Sequence, residues 1–300
     1  MLKNSRYYQN RKVLITGGAG FIGSHLTAAA VKLGARVTIL DNFSTGHRSY
    51  LADLEDKITI VEGDILNRHD CDRAIAGNDI VFHCAALSSV PLSLAEPYQC
   101  TQQNIIGTAN LLEAARNQGA TQFIFSSSAA VYGKREGACA EGDPCEPVSP
   151  YGWSKFIGEI LCRQYGQNSL LHTICLRYFN VFGPRQEQGV VAQFRRSLAE
   201  GRSITIEGDG KQERDFVSVE RVVEANLTLA AYAPEVIASG EIFNIASGRS
   251  VSLLELVASM SREQTGEHHP AVQFVPARKE DIRQSRADCR KYWGFMEKIA

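Results

Sequence analysis

Apolar residues in this chain fall into short dense runs, separated by longer stretches in which they recur every third or fourth position. Lys12–Thr16 (KVLIT) predicts a buried strand and Phe21–Leu33 a helix. Further strands are predicted at Arg36–Leu40, Ile58–Val61, Asp79–His83 and Gln122–Ser126, with helical stretches between them. The segment Tyr98–Asn117 carries Ile105, Ile106, Ala109, Leu112 and Ala115 at mixed three- and four-residue spacing. It reads as one long helix, and Tyr151–Tyr165 as another. Strands alternating with helices imply right-handed βαβ crossovers and an α/β fold with a parallel sheet.

Beyond Arg177 the pattern loosens. A helix is predicted at Val190–Glu200, a strand at Ser203–Glu207, a turn at Gly208-Asp-Gly210, a helix at Val219–Ala231 and a strand at Glu241–Ile245. No Gly/Ser/Pro linker divides the chain. The expected organisation is a first domain over 1–178 and a second lobe over mainly 179–300, with residues around 215–247 rejoining the first.

Composition narrows the class. The chain has 300 residues, 44% apolar and 22% charged, which suits a globular α/β protein. A formal net charge of −1 gives no broad basic field for a polyanion, so nucleic acid is not expected as a partner. No stretch has the length and apolarity of a signal peptide or a membrane span, so no membrane partner is expected. Eight cysteines include no Cys-x-x-Cys, which fits thiols in a reducing cytoplasm and no metal site.

The first chemistry lies between Thr16 and Phe21. Gly17, Gly20 and Gly23 fall at three-residue spacing, and Gly18, Gly20 and Gly23 satisfy G-x-G-x-x-G. Glycines between a strand and a helix let a dinucleotide diphosphate approach the backbone, and the helix start offers amides to it. Asp41 closes the second strand, where a carboxylate accepts from ribose hydroxyls and repels a 2′-phosphate; this favours NAD over NADP. Asp64, after the third strand, suits either an adenine contact or a turn.

The second chemistry is Tyr151 and Lys155, four apart on one face of a helix. A phenol is a poor base at neutral pH, with a pKa of about 10. A neighbouring ammonium and the cationic ring of oxidised NAD are expected to lower it. A further hydroxyl to orient a substrate alcohol is available at Ser126-Ser127-Ser128, at a strand end. Singly, these are a helix-start aromatic, a solvated lysine and a polar strand terminus; their joint presence on a dinucleotide fold points to redox chemistry on an alcohol.

The segments TGGAGFIGSHL, DNFSTG, HCAALSSVPLS, NIIGTANLLEAAR, FIFSSSAAVYG, SPYGWSK, LRYFNVFGPRQ and GDGKQERDFV span nearly the whole chain. Together they resemble the extended short-chain dehydrogenase/reductase family, and within it the sugar-nucleotide epimerases, most of all the UDP-glucose and UDP-N-acetylglucosamine 4-epimerases. The resemblance implies a Rossmann-type doubly wound parallel sheet with a smaller, interleaved α/β substrate-binding lobe. It further implies tightly held NAD, a UDP-sugar substrate, and a homodimer formed through the 98–117 and 151–165 helices. The implied cofactor contacts are Gly17, Gly20, Phe21, Ile22, Gly23, Asp41, Asn42, Asp64 and Ile65, with Tyr151 and Lys155. The implied catalytic hydroxyl is Ser128, with Ser126 and Ser127 as pocket neighbours. Asn180 matches a substrate contact, and Arg214 and Arg278 match arginines that pair with the UDP diphosphate. The family commonly has glycine where this chain has Glu280, which sets a negative charge beside Arg278. At the position of Ser285, a bulky residue narrows the family's sugar pocket and a small one admits a 2-acetamido group.

Dehydratases and decarboxylases of the group typically carry an acid just after the catalytic Ser or Thr. Here Ala129 and Ala130 follow Ser128, which argues for C4 epimerisation through a transient 4-keto sugar. The alternatives are a UDP-sugar decarboxylase or dehydratase on the same scaffold, or a non-catalytic NAD or nucleotide-sugar sensor; an intact Ser128, Tyr151 and Lys155 set speaks against the sensor.

Overall fold

The computed structural model describes residues 5–265, 271–277 and 282–299. The first half supplies β1 (Lys12–Thr16), α1 (Phe21–Lys32), β2 (Arg36–Asp41), β3 (Ile58–Glu62), α2 (Arg68–Ile75) and β4 (Ile80–His83). Then come α3 (Val90–Ala95), α4 (Pro97–Thr101), α5 (Gly107–Asn117), β5 (Gln122–Ser128), β6 (Ala138–Cys139), α6 (Pro150–Asn168) and β7 (His172–Tyr178). The remainder supplies β8 (Asn180–Phe182), α7 (Val190–Ala199), β9 (Ile204–Glu207), β10 (Glu213–Ser218), α8 (Val219–Val236) and β11 (Glu241–Ile245). It ends with β12 (Ser250–Ser252), α9 (Leu253–Thr265), β13 (Val272–Val275), β14 (Gln284–Ala287) and α10 (Arg290–Lys298).

Seven strands form a parallel sheet in the order β11-β7-β5-β4-β1-β2-β3. The order reverses between β1 and β4, so the crevice at their carboxyl ends is where a doubly wound sheet binds its ligands. Side-chain alternation divides the core between the two faces. Val13, Ile15, Ile39, Phe82 and Ile124 pack on one side with Leu26, Val222 and Leu227. Leu14, Leu40, Val81, Phe123 and Phe125 pack on the other with Leu111, Leu112 and Cys162. β11 comes from the second half of the chain yet forms the edge of this sheet beside β7. The N-terminus is tied to the same late segment, since the Tyr8 hydroxyl donates to the Leu227 carbonyl at 2.7 Å.

The second lobe holds a five-stranded sheet, in which β10 is flanked by β12, β14 and β8, and a two-stranded sheet of β9 and β13. The buried Asp215 carboxylate holds the first of these together. It accepts from the Ser247 amide and hydroxyl, the Gly248 amide and the Ala287 amide. Burial raises its pKa, and those hydrogen bonds oppose the rise.

The helix predicted over Tyr98–Asn117 is not regular. Five residues, Gln102–Ile106, form a π-turn between α4 and α5. Inside it, Asn104 accepts from the Leu87 amide at 2.8 Å and donates to the Ser154 hydroxyl at 2.9 Å. The wider turn suits a buried amide that must serve a loop and a neighbouring helix at once. Spacing alone does not distinguish it from an ordinary helix.

Beneath the carboxyl end of β5, Arg177 and Glu159 form an ion pair at 2.7 Å, with side chains 2% and 3% exposed. Ser127 donates to the same carboxylate, and the guanidinium lies 4.7 Å from the centre of the Tyr132 ring. Four segments, β5, the turn after it, α6 and β7, therefore meet on one buried pair.

Candidate active site

The dinucleotide end is shaped by what its glycines exclude. Gly17 has φ +67°, and a Cβ there would lie 2.7 Å from the Ala85 amide nitrogen. A Cβ on Gly23 would lie 2.0 Å from the Gly17 carbonyl oxygen. Gly20 caps α1 in an extended conformation with no side-chain hydrogen bond. The amides of Phe21, Ile22 and Gly23 thus open the helix without intrahelical partners, as a diphosphate requires. This bare helix start and its side-chain-free cradle fit NAD.

Asp41 does more than end a strand. Its carboxylate accepts from the Ala19 amide at 2.9 Å and the Phe43 amide at 2.8 Å, which locks the glycine turn to the loop after β2. Remaining lone pairs suit a ribose diol. Burial raises its pKa, opposed by those two amides. Asn42 donates to Asp64 at 2.9 Å, and Asp64 accepts from the Leu66 amide at 2.9 Å, so Asp64 acts as a turn former. Ile65 is buried against Gly107, where a Cβ would lie 2.5 Å from its Cδ1.

The catalytic candidates meet where α6 begins. Ser149 caps the helix by accepting from the Gly152 amide at 3.1 Å. The absence of a side chain at Gly152 lets the helix approach the turn after β5, since a Cβ would lie 2.6 Å from the Ala130 carbonyl oxygen. This brings the Ser128 hydroxyl close enough to the Tyr151 phenol to influence its titration. Lys155 donates to the Ser126 carbonyl at 2.8 Å, and its Nζ stands 5.9 Å from the Tyr151 ring centre.

Two sequence expectations change here. Burial raises the Tyr151 pKa, and the opposing influence is the Ser128 hydrogen bond, not the ammonium. Lys155 is itself buried, which lowers its pKa to about 8. Ser127, expected in the pocket, points to the opposite face of β5 and donates to Glu159. Ser126 remains on the Ser128 face, 3.4 Å from Cys84 Sγ and 3.2 Å from the Tyr178 hydroxyl.

Three substrate candidates fall on neighbouring strands of the second lobe. Asn180 on β8 donates to the Asp215 carbonyl at 3.1 Å. Arg214 on β10 stands directly opposite Ser285 on β14. Arg278 and Glu280 lie outside the described residues.

The sequence profile of the NAD dependent epimerase/dehydratase family matches residues 13–246. The chain belongs to that family. NAD is the cofactor of this epimerase/dehydratase, and the glycine turn and Asp41 have the chemistry to receive it. The chain is 36% identical to a UDP-N-acetyl-alpha-D-glucosaminuronate decarboxylase of Bacillus cytotoxicus, over 94% of this chain and 90% of the relative. It resembles a UDP-N-acetylglucosamine 4-epimerase from Methanobrevibacter ruminantium M1, solved with UDP-N-acetylmuramic acid, with a TM-score of 0.87 and 34% identity over 95% of this chain and 91% of that one. It also resembles a UDP-glucose 4-epimerase from Thermus thermophilus in complex with NAD, with a TM-score of 0.86 and 33% identity over 95% and 92% of the two chains. Among the described residues, no helix is long and apolar enough to cross a membrane.

Sequence reasoning missed Glu159 and Arg177. The available signal was Glu159 at the next four-residue step after Tyr151 and Lys155, and an arginine inside the apolar run of β7.

The buried ammonium yields a test. Below pH 8 Lys155 is charged in a site that favours its neutral form, so the burial penalty is fully present. Between pH 8 and 10.5 the folded protein sheds this proton while the unfolded chain keeps it, so the penalty is progressively relieved. Lys155→Met is expected to melt higher than the parent at pH 7 in cofactor-free protein, with an advantage that shrinks as pH rises to 10. Differential scanning calorimetry across that range checks it; a lower melting temperature for Lys155→Met at pH 7 contradicts it.

Proposed function

We propose that this enzyme inverts C4 of UDP-hexoses, including UDP-N-acetylhexosamines, through a 4-keto sugar. The carrying observation is the pairing of Tyr151 with Ser128 at a turn that holds no acid. Ala129–Tyr132 is one short helical turn capped by Ser128, and its first two side chains are methyl groups. Its one titratable side chain, Tyr132, donates to Asn244 at 2.7 Å, and burial raises its pKa. Elimination of water needs a further acid–base group, and this turn supplies none.

NAD, when bound, supplies reversible two-electron chemistry. Tyr151 removes the proton from the sugar hydroxyl and later returns one, with Ser128 orienting that hydroxyl. The Lys155 ammonium holds the carboxyl end of β5 through the Ser126 carbonyl. Asn180 and Arg214 anchor the nucleotide while the keto sugar turns. The similar decarboxylase favours a second reading, loss of carbon dioxide from a uronic acid sugar.

A homodimer fits the exposed apolar side chains of the helices that pack beside each other. Tyr98 and Ile106 lie along α4 and the π-turn, and Trp153 and Ile160 along α6.

Four measurements test this reading. Mass spectrometry and NMR after incubation with UDP-GlcNAc, UDP-Glc and UDP-glucuronate should show a C4 epimer of unchanged mass from the first two; mass loss refutes it. Tyr151→Phe should lower turnover by roughly 100- to 10,000-fold while NAD stays bound. If Ser285 admits the acetamido group, Ser285→Tyr should depress turnover of UDP-GlcNAc far more than of UDP-Glc, and an unchanged ratio removes it from the pocket. Finally, Trp153→Asp should convert a species of twice the chain mass into a monomer by light scattering; a monomeric parent rules the dimer out.

A further inference from the structure

The loop between β8 and α7 contains a strained, incompletely bonded arginine. Arg185 has φ +65°, a left-handed conformation that such a side chain rarely adopts. Its guanidinium lies 5.4 Å from the centre of the Tyr50 ring. One terminal nitrogen, Nη1, is buried with no hydrogen-bond partner among the described residues. A buried guanidinium N–H without an acceptor is costly and calls for a partner from outside the side chains around it, an ion, a water or a ligand.

The surroundings indicate which ligand. Glu187 accepts from the Tyr50 hydroxyl at 2.7 Å and pairs with His47 at 2.9 Å. Burial and the Glu187 carboxylate push the Tyr50 phenol up to about 12, so it remains a donor to that carboxylate. The His47 amide donates to the Ala19 carbonyl at 3.0 Å, within the glycine turn. On the other side of the loop, the Pro184 carbonyl lies 2.9 Å from His25 Nε2 on α1. A Cβ on Gly183 would come within 3.7 Å of the Phe21 ring, on the first residue of α1. The loop is therefore fastened across the start of α1, the helix whose opening amides lack partners.

We infer that Arg185 is a cofactor-binding residue whose unpartnered guanidinium edge takes an oxygen of the dinucleotide's diphosphate, and that Tyr50, His47 and Glu187 form a strap holding it there. Amides at the start of α1 approach the diphosphate from one side and a planar cation from the other. The inference rests on the dinucleotide groove and holds whichever sugar nucleotide the enzyme converts.

The test uses full-length protein loaded with NADH. Release is followed by fluorescence after addition of excess NAD, and UDP affinity is measured separately by calorimetry. Arg185→Gln should speed NADH release by about tenfold or more, the loss of a charge-assisted hydrogen bond, with UDP affinity unchanged. Arg185→Lys should recover part of that loss, and Glu187→Gln should speed release by a smaller factor. Unchanged release in Arg185→Gln overturns the proposal. Weakened UDP binding with unchanged NADH release overturns it as well, by moving the arginine to the substrate diphosphate. Should Arg185→Gln not fold, Glu187→Gln decides, and parental release in that variant is the refuting result.

Discussion

Two opposite charges removed from water under the Ser128 turn constrain everything above them. Arg177 and Glu159 are almost fully buried, and an ion in that position is tolerated only when paired and hydrogen-bonded. The guanidinium donates through Nε and Nη2 to the two carboxylate oxygens at 2.8 and 2.7 Å. Because Glu159 follows Tyr151 and Lys155 at four-residue steps on α6, the pair fixes how that helix is rolled and how deeply it sits against β5. Ser127, bonded to the same carboxylate, immediately precedes Ser128. The spacing between the Tyr151 phenol and the Ser128 hydroxyl is thus inherited from a charge pair buried beneath them.

Much of the sheet was legible because a parallel strand buried on both faces reads as an apolar run. KVLIT became β1 over the stretch predicted, and the predicted ends of α1 and β2 were within one residue of those observed. Gly34, at φ +84°, ends α1 by returning its amide to the Val31 carbonyl. Short strands such as β6, β8 and β12 carry too few residues for any period to show. Their identity comes from pairing with β10 or β14, a long-range relation.

The site was legible wherever chemistry and spacing coincide, as in the glycine turn and the Tyr151–Lys155 step. It was illegible where the outcome depends on which face a residue occupies or on the sign of a balance. Strand alternation alone separates Ser127 from Ser126 and Ser128, and grouping three serines as one cluster overlooked it. The direction of the Tyr151 shift is a contest between desolvation and hydrogen bonding, and burial depth is not written in a motif. Arg214 and Ser285 are 71 residues apart in the chain and become neighbours only through the β10–β14 register.

The edge position of β11 has a consequence for synthesis. Until Glu241–Ile245 has left the ribosome, β7 presents an open parallel edge, including Ile174, Cys175 and Leu176, with nothing to hydrogen-bond it. Tyr8, which precedes every strand of the sheet, likewise waits for Leu227. The seven-stranded sheet is therefore no product of the first half alone: a nascent chain holds it incomplete until β11 emerges, and a shortened product ending before 240 carries an adhesive flank.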